Sequence, residues 1–146
     1  MSHESMGPID DEALDTITQL ARTHRLVGQV YVDVDKGGRR ELHIDLNRDR
    51  YPRTVETASI YIQWHTNDDY TFHYRDVHAA GDAWQCRWDR HPHTHDAARE
   101  HFHEPPTAAE EPISDSVRIV EPHHLFTRTM ANVNERINQL WETESL

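Results

Sequence analysis

Apolar residues follow helical spacing near both ends of the chain and alternate like those of β-strands in between. The first pattern predicts a short helix over residues 11–24, with Asp10 or Asp11 as its cap. The last predicts a helix over 122–142 with an apolar stripe three or four residues apart. That stripe consists of Phe126, Met130, Val133, Ile137 and Leu140.

Alternation of apolar and polar residues predicts five strands between these helices. Their apolar positions fall within residues 30–34, 42–46, 58–64, 70–74 and 84–88. Lys36-Gly37-Gly38-Arg39 is typical of a hairpin turn between the first two strands. The predicted fold class is therefore α+β, an antiparallel meander of about five strands with the N- and C-terminal helices packed on one face.

The length of 146 residues predicts a single domain, 1–146. Within it we expect a disordered N-terminus over 1–10 and a His/Pro-rich loop over 90–112, where the periodicity stops. A last short strand is predicted over 117–120. The polar start of the chain and the absence of a long apolar run predict a cytoplasmic protein without a secretory signal or membrane span.

The composition is strongly acidic. Fifteen Lys and Arg residues face 26 Asp and Glu residues, for a formal net charge of -11, and Lys36 is the single lysine. This is typical of a salt-adapted, haloarchaeal-type sequence, the alternative being an ordinary acidic protein. The lone cysteine, Cys86, excludes an intramolecular disulfide and a cysteine-based zinc cage.

The polar positions of the alternating strands share the face opposite the helices. They are His43, Asp45, Ser59, Tyr61, Gln63, His65, Thr71, His73, Arg75, Gln85, Arg87 and Asp89. Tight turns predict that one row across this face contains His65, Thr71 and Asp89. The next row would contain Gln63, His73 and Arg87.

An imidazole beside a guanidinium is suited to acid–base chemistry on a phosphodiester. Histidine transfers protons near neutral pH, and arginine binds phosphate oxygens. The candidate catalytic residues are His73, Arg75, Arg87, Asp89, His91 and His93. This chemistry requires no metal or other cofactor. The alternative is that the face is simply polar and solvated.

Histidines recur in the stretch that follows the fifth strand. With Asp89 they form a candidate set of metal ligands, namely Asp89, His91, His93, His101 and His103. No second motif fixes a coordination geometry. The alternatives are a loop that folds back and adds imidazoles to the Arg87/Asp89 site, and a solvated histidine-rich loop. Partial protonation of these histidines would make the region positive and tolerant of an anionic substrate.

The order of these elements resembles the TumE-type toxins of bacterial and archaeal toxin–antitoxin operons. The likeness covers roughly residues 30–104 and begins with an aromatic-rich strand over 70–76. The matching positions are Arg87, Trp88, Asp89, His91, Pro92, His93, His101 and His103. The chain differs in having His-Pro-His for an adjacent histidine pair and an acidic C-terminal extension that ends in a helix.

The resemblance implies a toxin paired with a helix-turn-helix antitoxin, and nucleic-acid cleavage is the usual activity of small toxins. We therefore predict a toxin component that acts on RNA by metal-independent His/Arg chemistry. His73 or a loop histidine would deprotonate a ribose 2′-hydroxyl, and His91 or His93 would protonate the leaving oxygen. The alternatives are a non-enzymatic protein-interaction module and a His-rich metal-binding protein. A homodimer through the C-terminal helix is a further hypothesis.

Overall fold

A computed structural model describes residues 7–91, 100–108, 113–115 and 121–144. Helix α1 (Asp11–Arg22) precedes one antiparallel sheet, and helix α2 (Pro122–Glu144) follows it. The strands lie in chain order and are β1 (Val27–Val34), β2 (Arg40–Leu46), β3 (Val55–Trp64), β4 (Tyr70–His78), β5 (Ala83–Arg90), β6 (Glu100–His103) and β7 (Ile113–Asp115). The predicted α+β meander with two terminal helices is confirmed, with seven strands in the described residues rather than about five.

Both helices use their apolar stripes to cover one face of the sheet. Asp10 caps α1, because its carboxylate accepts a hydrogen bond from the Ala13 backbone N–H at 3.1 Å. The α2 stripe predicted from the sequence is buried throughout. The sheet residues in the same core are mainly Leu42, Ile44, Ile60, Ile62, Trp64, Tyr70, Phe72, Tyr74, Cys86 and Trp88. The alternate side chains therefore form the opposite, polar face, which is called the open face below.

The stretch predicted as a loop over 90–112 contains a strand. β6 pairs with β5, and Arg87, Trp88 and Asp89 lie opposite His103, Phe102 and His101 respectively. The two histidines of this strand, His101 and His103, are buried. Sequence periodicity treats polar residues as exposed, so a strand with buried histidines gives no apolar alternation to detect. The strand predicted over 117–120 lies outside the described residues.

The predicted pairing between β3 and β4 is wrong by two residues. Gln63 lies opposite Thr71, where His65 was expected, and Tyr61 rather than Gln63 lies opposite His73. The turn is tighter than assumed, because Asp68 takes a left-handed backbone conformation with φ of 65°. A shift of two residues leaves every side chain on its predicted face.

Residues 7–10 pack against the end of β3. Ile9 forms a β-bridge with His65, and the His65 ring, through Nδ1, is 2.6 Å from the Gly7 carbonyl oxygen. His65 is buried by this segment and takes no part in the rows of the open face. The rest of the segment predicted to be disordered, residues 1–6, lies outside the described residues.

Helix α2 presents one large aromatic side chain outward. Trp141 is 46% exposed, and its indole N–H donates to the Arg50 carbonyl oxygen at 2.8 Å. In the described part of the chain, neither helix combines the length and hydrophobicity needed to cross a bilayer.

Candidate active site

A single row of side chains crosses the open face from β1 to β6. Strand register places His73 directly opposite Arg87, as predicted, and Arg87 directly opposite His103. The full row consists of Tyr31, His43, Tyr61, His73, Arg87 and His103. The adjacent row brings Thr71, Asp89 and His101 together. Residues opposite each other on antiparallel strands have Cβ atoms about 5 Å apart, so each row is a line of neighbours.

Asp89, Arg87 and His103 form a hydrogen-bonded cluster at the β5–β6 end of the row. Arg87 Nε donates to Asp89 Oδ2 at 2.8 Å, and His103 Nε2 lies 2.9 Å from the same oxygen. Arg87 Nη2 is 3.2 Å from His103 Nε2. Asp89 and His103 are buried, whereas the Arg87 side chain is 21% exposed. The carboxylate thus fixes both the guanidinium and the imidazole, and the guanidinium remains accessible from outside.

His91 approaches the same carboxylate from the end of β5. Its Nε2 is 3.7 Å from Asp89 Oδ2, and its ring centroid is 5.5 Å from that of His101. The His91 side chain is 31% exposed. His91 is therefore the histidine of this cluster that solvent reaches most readily.

His73 lies on the other side of Arg87. Its Nε2 is 2.8 Å from the Gln85 amide oxygen, so Nε2 carries the proton and Nδ1 is left as the basic atom. Burial lowers the pKa of His73 below 6.5, and the Arg87 and Arg75 guanidinium groups lower it further, against the opposing effect of the Gln85 hydrogen bond. The imidazole is thus held in its neutral form, which can accept a proton.

The six predicted catalytic residues are not all placed in one cluster. Arg87, Asp89 and His91 meet directly, and His73 neighbours them across β4 and β5. Arg75 is exposed, and it pairs with Gln85 one row away from His73. His93 lies outside the described residues.

Asp89, His91 and His103 bring three possible metal-ligand atoms within 4.8 Å of one another. Asp89 Oδ1 is buried and has no hydrogen-bond partner among the described residues. The Arg87 guanidinium hydrogen-bonds to two of the three residues, however, and a cation would have to displace it. A divalent metal at this position would therefore compete with the Arg87 guanidinium for the same carboxylate.

An ion-pair network that the sequence did not reveal holds this end of the sheet. Arg90 Nε donates to Glu100 on β6 at 2.9 Å, and Arg90 Nη1 donates to Asp69 in the β3–β4 turn at 3.1 Å. Asp69 is fully buried. The network links the β3–β4 turn, β5 and β6, and it thereby fixes the strand that carries His103.

A cavity lies on the other side of the sheet, between β5, β6 and α2. It encloses about 250 Å³, and its sheet-side walls include Trp84, Cys86, Trp88 and Phe102. Burial raises the pKa of the Cys86 thiol to about 12, so this group is no nucleophile at neutral pH. Glu135 and Arg136 of α2 line the other side of the cavity, which contains no histidine. We therefore place the candidate acid–base chemistry on the open face.

Comparison with known proteins assigns the chain to a family. The family model described as toxin TumE matches residues 17–137. The match is longer than the expected likeness over 30–104, and it includes most of α2, which is therefore no added extension. Searches of curated proteins and of solved structures return no match. Because the family match covers most of the chain, the protein belongs to the TumE family of toxins.

Proposed function

We propose that this toxin cleaves the phosphodiester bonds of RNA by acid–base chemistry on the open face. The observation that carries the proposal is the position of Arg87, which lies directly opposite the neutral His73 and is hydrogen-bonded to Asp89 and His103. Arg87 thus has a candidate base on one side, and a carboxylate with further histidines on the other. The proposal deepens the toxin role that family membership establishes.

His73 acts as the general base. Its Nδ1 takes the proton from a ribose 2′-hydroxyl, and the 2′ oxygen then attacks the adjacent phosphorus. The new bond from the 2′ oxygen to phosphorus forms as the bond from phosphorus to the 5′ oxygen breaks. The products are a 2′,3′-cyclic phosphate and a free 5′-hydroxyl.

Arg87 binds the phosphate oxygens on which negative charge accumulates during this step. Asp89 orients its guanidinium through Nε, which leaves the Nη groups directed toward His103 and the open face. Arg75, exposed on the same face, adds a second positive charge near His73. Positive groups held in place before the reaction stabilise the transition state without reorganisation.

His91 supplies the proton to the leaving 5′ oxygen. It is partly exposed and lies beside Asp89, with Nε2 3.7 Å from Oδ2. His93 could share this role according to the sequence pattern. The proposed reaction uses no metal or other cofactor.

The test is incubation of a labelled RNA with the purified, antitoxin-free protein in high salt and EDTA. We expect cleavage by the wild type and a loss of at least a hundredfold in His73→Ala, Arg87→Ala and His91→Ala. His123→Ala is the matched control, because His123 is exposed at the start of α2, away from the open face. The control variant should retain wild-type activity.

Two results would overturn the proposal. One is the absence of cleavage at every salt concentration, which would favour a non-enzymatic interaction module. The other is cleavage that EDTA abolishes and zinc or manganese restores, which would favour a metal site at Asp89, His91 and His103.

The proposed partner is a cognate antitoxin, as membership of a toxin family implies. We further propose that this antitoxin is of the helix-turn-helix type. Self-association through α2 would use Trp141, because the apolar stripe of the helix is buried in the core. Analytical sedimentation tests the homodimer. If Trp141 holds the two copies together, the wild type should sediment as a dimer and Trp141→Ala as a monomer.

A further inference from the structure

We infer that the row of rings on the open face is a stacking platform for the bases of single-stranded RNA that lead into the cleavage site. The platform consists of Tyr31, His43, Tyr61 and His73, one residue from each of β1 to β4. This inference rests on the proposed function, because it names how the substrate of that site is held. Nothing in the family match assigns a role to these rings.

The rings form a continuous series of contacts. The centroids of Tyr31 and His43 are 5.1 Å apart, those of His43 and Tyr61 are 4.8 Å apart, and those of Tyr61 and His73 are 6.2 Å apart. Neighbouring rings are tilted or edge-to-face, which limits their rotation. Because His73 is opposite Arg87, the ring series ends at the proposed phosphate-binding group.

These four rings do not form part of the hydrophobic core. Tyr31 is 41% exposed, and His43, Tyr61 and His73 are each half-buried, whereas the aromatic residues of the core, such as Trp64 and Phe72, are on the opposite face. A sheet face with rings on successive strands stacks unpaired bases and does so with little regard to sequence. A base-paired duplex hides the faces of its bases and would not fit.

The charges on the open face determine which end of the platform the scissile phosphate of the RNA occupies. Glu41 hydrogen-bonds to His43, and Asp45 accepts from Ser59, so carboxylates flank the β2 part of the platform. Arg75 and Arg87 lie at the β4–β5 part. The scissile phosphate therefore lies at the arginine end, and over β2 the bases rather than the phosphates contact the protein.

Binding of a fluorescent 2′-O-methyl RNA of eight nucleotides tests this platform separately from cleavage, because the blocked 2′ oxygen cannot attack. We expect Tyr61→Leu to weaken binding about tenfold and Tyr61→Phe to bind like the wild type, since the ring is retained. Asp45→Asn should tighten binding, because it removes a negative charge near the strand. Trp141→Leu, which removes an exposed ring elsewhere, is the control and should bind normally.

The platform is refuted if Tyr61→Leu and Tyr61→Phe bind equally well, or if a duplex of the same sequence binds as tightly as the single strand. Weaker binding by Asp45→Asn would also contradict it. A cleaving enzyme with unaltered binding by Tyr61→Leu would remove the platform and leave the proposed function standing. Tight, ring-dependent binding without cleavage of unmodified RNA would support the platform and remove the proposed function.

Discussion

Asp89 is the residue on which the candidate site most depends. Its Oδ2 is within 2.9 Å of both Arg87 Nε and His103 Nε2, and His91 is 3.7 Å away. The carboxylate is 4% exposed, so little water shares in these contacts. A buried charge with several partners is costly to replace, because each partner is left without its counter-charge.

We therefore expect Asp89→Asn to lower the free energy of unfolding by about 3 kcal/mol. Asp45→Asn is the matched control, because the carboxylate of Asp45 accepts hydrogen bonds only from the neutral side chains Gln29 and Ser59 among the described residues. Its loss should cost less than about 1 kcal/mol. Urea denaturation of both variants measures the difference, and equal losses would show that Asp89 does not organise the cluster.

The depressed pKa of His73 predicts how activity depends on pH. The basic form persists below pH 6.5, so the acidic limb of kcat/KM should have its midpoint below that value. The Gln85 hydrogen bond raises the pKa of His73, and Gln85→Leu should therefore move the midpoint to still lower pH. A midpoint above 6.5, or one that Gln85→Leu leaves unchanged, would argue against His73 as the base.

The same shift contributes to stability with a definite sign. In the unfolded chain His73 takes up a proton as the pH falls through 6.5, whereas in the folded protein it does so only at lower pH. The unfolded state therefore binds more protons in this window, and stability decreases as the pH falls through it. Above pH 6.5 His73 is neutral in both the folded and the unfolded state, so it does not make stability depend on pH.

At the level of elements, α2 is attached to the sheet by a buried ion pair as well as by its apolar stripe. Arg136 donates two hydrogen bonds to Asp76, at 2.9 and 3.1 Å, and Asp76 is fully buried. Tyr74 and His78 also hydrogen-bond to this carboxylate, and the Arg136 guanidinium carbon lies 4.0 Å from the centre of the Trp84 ring. This link was not predictable from local sequence patterns, because Asp76 and Arg136 are 60 residues apart.

We expect Arg136→Gln to lower the free energy of unfolding by about 3 kcal/mol, because it leaves the Asp76 carboxylate buried without its guanidinium. Arg128→Gln, at an exposed position of the same helix, is the control and should change stability by less than about 0.5 kcal/mol. Thermal or urea unfolding followed by circular dichroism measures both. A similar small effect from the two substitutions would mean that the apolar stripe alone holds α2.

Elements with a repeated apolar period were predictable, and those built from buried polar groups were not. Period-two alternation placed β1 to β5 and assigned each side chain to the correct face, which brought His73 opposite Arg87. The β3–β4 register was missed because it depends on the left-handed conformation of one residue, Asp68. β6 was missed because two of its buried residues are histidines on the open face, so the contact between Asp89 and His103 could not be derived.

At the level of the whole molecule, the charge of -11 is the feature that the fold does not explain. Acidic residues crowd a surface with few lysines, and their mutual repulsion opposes the compact state. Salt screens this repulsion, with a Debye length of about 3 Å at 1 M. Stability should therefore rise with salt if the composition is an adaptation to it.

We expect the Tm to increase by several degrees between about 0.1 and 2 M KCl. A variant with Asp15, Glu56 and Glu135 replaced by lysine, all three exposed, has a much less negative charge and should gain less. Differential scanning calorimetry of both proteins is the measurement. Equal gains would assign the effect to general salting-out instead of charge screening.

The most direct test of the proposed chemistry is the cleavage of an oligodeoxynucleotide that contains a single ribonucleotide. With EDTA present, we expect the toxin to cut only on the 3′ side of that ribose and to leave a 2′,3′-cyclic phosphate, identified by mass spectrometry. His73→Ala and Arg87→Ala should leave the oligonucleotide intact. Cutting of the all-deoxy strand, or products that end in a linear phosphate from the start of the reaction, would contradict attack by the 2′ oxygen.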